Sequence, residues 1–120
     1  YVLWPDQAAE CIEVQDARVS FVGHSHVSLY FTDQPGGEEV RGAQAAANDE
    51  LELAEGNWLI NPGSVGQPRD GDSRASWLEL DTESWTARYR RVPYDIDRAA
   101  TAIEEAGLPG ALARRLYVGQ

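Results

Sequence analysis

The chain has 120 residues and a mass of 13.2 kDa, with 42% hydrophobic and 9% aromatic residues. That is one ordinary domain at most, with enough apolar mass for a core, so disordered, collagen-like and low-complexity classes are excluded. Twenty acidic residues against ten basic ones, all arginine, leave a net charge of −10 and a pI near 4.5, which argues against a binder of nucleic-acid polymers or anionic membranes.

The chain contains no methionine and opens on the apolar, aromatic run Tyr1-Val2-Leu3-Trp4, which reads as the interior of a longer structure rather than a free terminus. Pro5 and Asp6 then start a helix over residues 5–17, since proline fits the first turn and an acid favours the positive end. The largely apolar run Val19-Ser20-Phe21-Val22, stopped by Gly23, predicts an interior strand covered on both faces. Its carboxyl end is where an α/β sheet places ligands.

Residues 27–32 predict a second strand, and Asp33-Gln34-Pro35-Gly36-Gly37 a hairpin turn. The polar stretch from Glu38 to Gly56, with Leu51-Glu52-Leu53 alternating, predicts an edge strand pair. Trp58-Leu59-Ile60 makes a short buried strand. The segment from Asn61 to Asp72, with three glycines and two prolines, is one long specified loop. Alternation returns in residues 75–81 and 85–92, an antiparallel hairpin with one wet face and Tyr89 as a core anchor. Asp95 caps a helix from Ile96 to Ala106 ended by Gly107, and a shorter helix runs from Leu108 to Tyr117. Trp4, Trp58, Trp77 and Trp85 fall on strands or the terminus and read as core or rim packing.

His24 and His26, the only histidines, stand two apart at the end of a strand, so extended backbone points both rings to one face. Neutral imidazole is the commonest metal ligand, and the pair suits one metal or two adjacent ions, or else two solvent-facing loop histidines. Two donors fall short of a catalytic shell, which takes about three protein ligands plus water. Asp70, Asp72 and Asn61 are the candidates for the missing donors, but none lies on the same strand end, and the paired acids read as solvated turn residues. The turn Asn61-Pro62-Gly63-Ser64, with Arg69, suits either a phosphate-binding concavity or a structural connection between strands. No nucleophile elbow surrounds Ser25 or Ser64, and Cys11 lies within the first helix. A lone cysteine forms no intrachain disulfide and fits a cytoplasmic setting, and no apolar run is long enough to span a bilayer.

Phe21-Val22-Gly23-His24-Ser25-His26, the run Leu59-Ile60-Asn61-Pro62-Gly63-Ser64-Val65-Gly66-Gln67-Pro68-Arg69-Asp70-Gly71-Asp72, and Arg91-Val92-Pro93-Tyr94-Asp95 appear in that order. Together they resemble the carboxyl-terminal half of a calcineurin-like metallophosphoesterase, in the small bacterial and archaeal phosphodiesterase branch. The resemblance covers nearly the whole chain and implies an α/β (α+β) fold, the second half of a four-layer α-β-β-α sandwich with a mixed sheet. It also implies a dinuclear centre of two divalent metal ions, manganese, iron, nickel, cobalt or zinc, hydrolysing a phosphomonoester or phosphodiester of small size.

Of the family's five ligand blocks only the last, G-H-x-H, is present; by the resemblance His26 would bind the first metal and His24 the second. Ser25 stands where the family commonly has threonine. Asn61, Gly63, Ser64 and Arg69 would support the ligands or rim the phosphate. Catalytic residues are expected outside this chain, in an amino-terminal half or a second chain, so the isolated chain is expected to be inactive and could self-associate as a homo-oligomer. The resemblance also admits a non-catalytic scaffold, as the same fold serves in a retromer subunit.

Overall fold

Two sheets face each other in a computed structural model that describes residues 1–36 and 39–120. The element order is α1 (Pro5–Val14), β1 (Val19–Phe21), β2 (Ser28–Asp33), β3 (Arg41–Gln44), β4 (Glu50–Glu52), β5 (Asn57–Pro62), β6 (Ala75–Asp81), β7 (Thr86–Val92), α2 (Ile96–Glu105) and α3 (Gly110–Val118). The first sheet has the order β1-β5-β2-β3, with β1 parallel to β5 and the other pairs antiparallel; the second has the order β4-β7-β6 and is antiparallel. This is the mixed α+β arrangement expected from the sequence.

Pro5 occupies the first turn of α1, where its missing amide hydrogen has no partner to lose. The Gln7 side-chain oxygen accepts from the amides of Leu3 and Trp4 at 2.9 and 3.2 Å and closes the helix start. Ala8 and Ile12, one turn apart, are its buried residues. They meet Leu29, Phe31 and Leu59 on one face of the first sheet.

The alternation along β5 sends its side chains both ways. Trp58 and Ile60 turn to the other face, where Leu51, Leu53, Ala87 and Tyr89 of the second sheet close a core. Each large apolar side chain buried there contributes about 1.5–3 kcal/mol of transfer free energy. Tyr89, 1% exposed, crosses between the sheets, its hydroxyl donating to the carbonyl of Leu29 at 2.7 Å. α2 starts where Asp95 accepts from the Arg98 amide at 2.9 Å, and α3 ends at Gly119 in the left-handed region, φ 65°.

Several expectations change. The run 19–22 is not an interior strand: β1 forms the open edge of its sheet, and Phe21 is 47% exposed. Three apolar residues in a run of four mimic a strand covered on both sides, but a neighbour strand exists on one side only among the described residues. The edge strands expected over 38–56 are present as β3 and β4, yet they edge different sheets and do not pair with each other. The hairpin expected at Asp33–Gly37 joins β2 to β3; Gly37 and Glu38 lie outside the described residues. Of the tryptophans only Trp58 is core, while Trp4, Trp77 and Trp85 are 67%, 42% and 39% exposed.

The fold leaves β1 and β6, both sheet edges, on one side of the molecule. Between them Phe21, Val65, Trp77 and Leu80 line an apolar groove of about 370 Å³. The radius of gyration, 16.0 Å, exceeds the roughly 14 Å of a compact domain of this length.

Removing the Tyr89 hydroxyl takes away a buried hydrogen bond that joins the two sheets. Tyr89→Phe should therefore lower the unfolding free energy by about 1–2 kcal/mol, read from urea denaturation midpoints, and an unchanged midpoint would mean that the bond adds nothing.

Candidate metal-ligand loop

The chain turns sharply after β1. Val22 continues the strand ladder, its amide donating to the carbonyl of Ile60 at 2.9 Å, and at Gly23 the ladder stops. His24 and His26 then take left-handed backbone, φ 74° and 60°. Bulky residues avoid that region, and holding each there costs of order 1 kcal/mol, so the surrounding bonds must determine the conformation. The expectation that extended backbone would align the two rings is thus replaced by a tight turn that projects them.

The bonds that hold it come mostly from the segment 61–70. Ser25, between the histidines, is buried, and its hydroxyl accepts from the Asn61 side-chain amide at 2.8 Å. The same amide donates to the carbonyl of Gly23 at 3.3 Å, while its oxygen accepts from the Gly63 amide at 3.0 Å. Asn61, fully buried, therefore uses both polar atoms of its side chain to pin the turn to the end of β5.

His26 is held from two sides. Its carbonyl accepts from the Arg69 amide at 2.9 Å, and its Nδ1 lies 2.8 Å from the carbonyl of Gln67. A carbonyl can only accept, so Nδ1 carries the hydrogen and Nε2 of the neutral ring keeps its lone pair outward. His24 is exposed, its ring centroid 4.1 Å from that of Tyr1.

The loop's other polar groups face inward. Ser64 Oγ accepts from the Gln67 amide at 2.9 Å, and Arg69 Nη2 donates to Gln67 Oε1 at 2.9 Å. Gly63 has φ 87°, and a Cβ there would lie 2.5 Å from Ser28 Oγ and 2.8 Å from Ser76 Oγ, so the position accepts no side chain. Arg69 Nε is buried with no hydrogen-bond partner.

Below this loop lies an ion pair that the sequence reading missed. Asp70 is not a solvated turn acid: its side chain is 1% exposed and bonds the guanidinium of Arg91, itself 3% exposed. Asp70 Oδ2 also accepts from the Ser28 amide at 3.1 Å, and Arg91 Nη2 donates to Ser28 Oγ at 2.9 Å. Alternation along β7 carried the signal, because Arg91 shares a face with Tyr89, and a buried arginine requires a carboxylate. Asp72, half-buried, pairs with Arg74 through two nitrogens, the shorter contact 2.5 Å.

His24 and His26 fit the part of metal donors, the second by its fixed tautomer. They are too few for a shell: among the described residues no group of three or more His, Cys, Asp or Glu side chains converges on a metal position. No described helix is long and apolar enough to cross a membrane.

No protein-family model matches the chain. It is 36% identical over 119 residues to the uncharacterized protein MJ0912 of Methanocaldococcus jannaschii, a match covering 98% of this chain and 45% of that protein. Its structure superposes on the crystal structure of a metallophosphoesterase from Sphaerobacter thermophilus with a TM-score of 0.93 and 36% identity, over 100% of this chain and 49% of that one. In sequence and in fold the chain is thus similar to part of a metallophosphoesterase. It spans about half the length of each of these relatives, consistent with a carboxyl-terminal half.

Burial pushes the Asp70 carboxyl up, but the Arg91 hydrogen bond, the Ser28 amide and the guanidinium charge outweigh it and hold the group below its ordinary value. Hydrogen bonding from Arg74 pulls Asp72 down to about 2. Both groups bind a proton less readily folded than unfolded, so their stabilisation is complete above the unfolded value of 3.8 and is lost as pH falls through the folded values. The unfolding midpoint should drop between about pH 4 and pH 2, and Asp72→Asn should flatten the lower part of that slope; a midpoint independent of acid would contradict the assignment.

Proposed function

We propose that this chain supplies the last metal-donor loop of a metal-dependent phosphoesterase, a hydrolase acting on a small phosphomonoester or phosphodiester. The observation that carries the reading is His26 itself, held in left-handed backbone with Nδ1–H on the carbonyl of Gln67 and Nε2 free to ligate. His24 and His26 would be two of the donors to a pair of divalent ions, manganese, iron, nickel, cobalt or zinc. Bound there, such ions polarise a phosphoryl oxygen and a water and neutralise developing charge. With two cations setting the local field, a chain of net charge −10 still accepts a phosphate substrate.

This chain's own groups fix donors rather than react. Asn61 and Gly63 shape the turn that carries the histidines, and Ser64 and Gln67 shape the carbonyl that selects the tautomer of His26. Arg69, bound through its backbone to His26, is the residue of this group with an unused donor, and we assign it the side nearest the phosphate.

The remaining donors would come from the rest of a metallophosphoesterase domain, continuous with this chain or a second polypeptide in the cytoplasm. The two open edges, β1 and β6, and the groove between Phe21 and Trp77 support that reading, since edge strands and exposed apolar grooves call for cover. A second copy of the chain is the competing occupant. The donor set of two also supports a second function, a binding scaffold of the same fold without catalysis.

Metal content separates the two. The protein isolated with every polypeptide it carries should hold divalent metal by elemental analysis and hydrolyse bis-p-nitrophenyl phosphate. His26→Ala should weaken metal binding by roughly 100-fold or more and abolish turnover. A metal-free, inactive wild type would favour the scaffold, and full turnover in His26→Ala would refute the donor role.

A further inference from the structure

Arg91 stands far from His24 and His26 in sequence, on β7 of the second sheet, and yet it ends within the support of their loop. Its guanidinium bonds Asp70 and donates to Ser28 Oγ at 2.9 Å. Ser28 is fully buried at the start of β2, two residues beyond His26, and its amide donates to Asp70 Oδ2 at 3.1 Å. Asp70 directly follows the segment whose Gln67 carbonyl and Arg69 amide grip His26 on both sides, at 2.8 and 2.9 Å. The far side of the guanidinium donates to the carbonyls of Asp72 and Arg74 at 3.4 and 3.3 Å. One side chain thus fastens both strands of the clamp, the strand leaving the histidine turn and the loop that closes over it.

We infer that Arg91, through Asp70 and Ser28, is a positioning residue that keeps the Gln67 carbonyl on His26 Nδ1 and so fixes which ring nitrogen is offered to a metal. The inference rests on the donor role proposed for His26, and deepens it. In water imidazole distributes its hydrogen over both nitrogens, so the Nδ1–H form is maintained only while an acceptor stays in place. Planarity matters as well as charge: the guanidinium reaches Asp70, Ser28 and two carbonyls at once, which an ammonium on a flexible stem does not.

The test reads the ring directly, without metal and without turnover. Nitrogen-15 NMR of the protein with all its polypeptides, at about pH 8 where an ordinary histidine is neutral, should show His26 as the Nδ1–H tautomer. In Arg91→Lys the Nε2–H form should become substantially populated, and zinc affinity by calorimetry should fall by roughly 10- to 100-fold. Should Arg91→Lys fail to fold, Ser28→Ala removes the bond from Arg91 to Ser28 Oγ while leaving the ion pair and the Ser28 amide on Asp70, and should shift the tautomer in the same direction to a smaller extent. A folded variant with an unchanged tautomer and unchanged zinc affinity overturns the inference, as does a wild type already in the Nε2–H form. If the tautomer shifts but the wild type binds no zinc, the positioning stands and the proposed metal function fails, so the two are told apart.

Discussion

A guanidinium buried between two sheets has to be answered by a carboxylate, and in this chain the answer organises the surroundings. Arg91 comes from β7 and Asp70 from the loop after β5, and between them lies Ser28 at the root of β2. Removing one partner of such a pair typically costs about 3–5 kcal/mol because the other is left charged and dry. That penalty forces the loop 61–70 onto the start of β2. With the loop in place, Gln67 and Arg69 fall on His26 and Asn61 falls on Ser25. Two histidines can then hold left-handed backbone that neither would choose alone.

The core and the loop make different demands on one short strand. β5 gives Trp58 and Ile60 to the space between the sheets and Leu59 to α1, and the next residue, Asn61, ends the apolar sequence with an amide that pins the histidine turn. Tyr89 links the same region from the other side, its hydroxyl reaching the carbonyls of Leu29 and Asn61. The rigidity of the loop is therefore borrowed from the core. The exposed flank is the contrary case: among the described residues β1 and β6 are edge strands, and Phe21 and Trp77 on them stand half in water.

Much of this was legible in the sequence where periodicity was strong. Period-two alternation in β6 and β7, the helical stripe of α2 and the glycine and proline spacing of 61–72 each located an element to within a residue or two, and the motifs in order led to the fold. What failed did so for identifiable reasons. Val19 to Val22 is largely apolar, which describes a strand buried in a whole sheet, whereas among the described residues β1 has one neighbour. Leu51-Glu52-Leu53 revealed a strand but carried no information about its partner, and β4 joined β7 instead of β3. Asp70 reads as a solvated turn acid, and although alternation places Arg91 on the face of Tyr89, nothing in the sequence names its partner; only their common burial pairs them. The donors needed beyond His24 and His26 were not legible because the described residues hold no such cluster.

Anomalous X-ray diffraction from crystals of the protein, grown with every polypeptide it carries and with manganese, tests the central claim most directly. The account predicts an anomalous peak bonded to Nε2 of His26, at roughly 2.0–2.3 Å as for metal–imidazole bonds, with a neighbouring peak at His24 and oxygen donors from outside the residues described here. Ordered histidines with no peak beside either ring, or a metal bound through Nδ1 of His26 with Gln67 released, would contradict it.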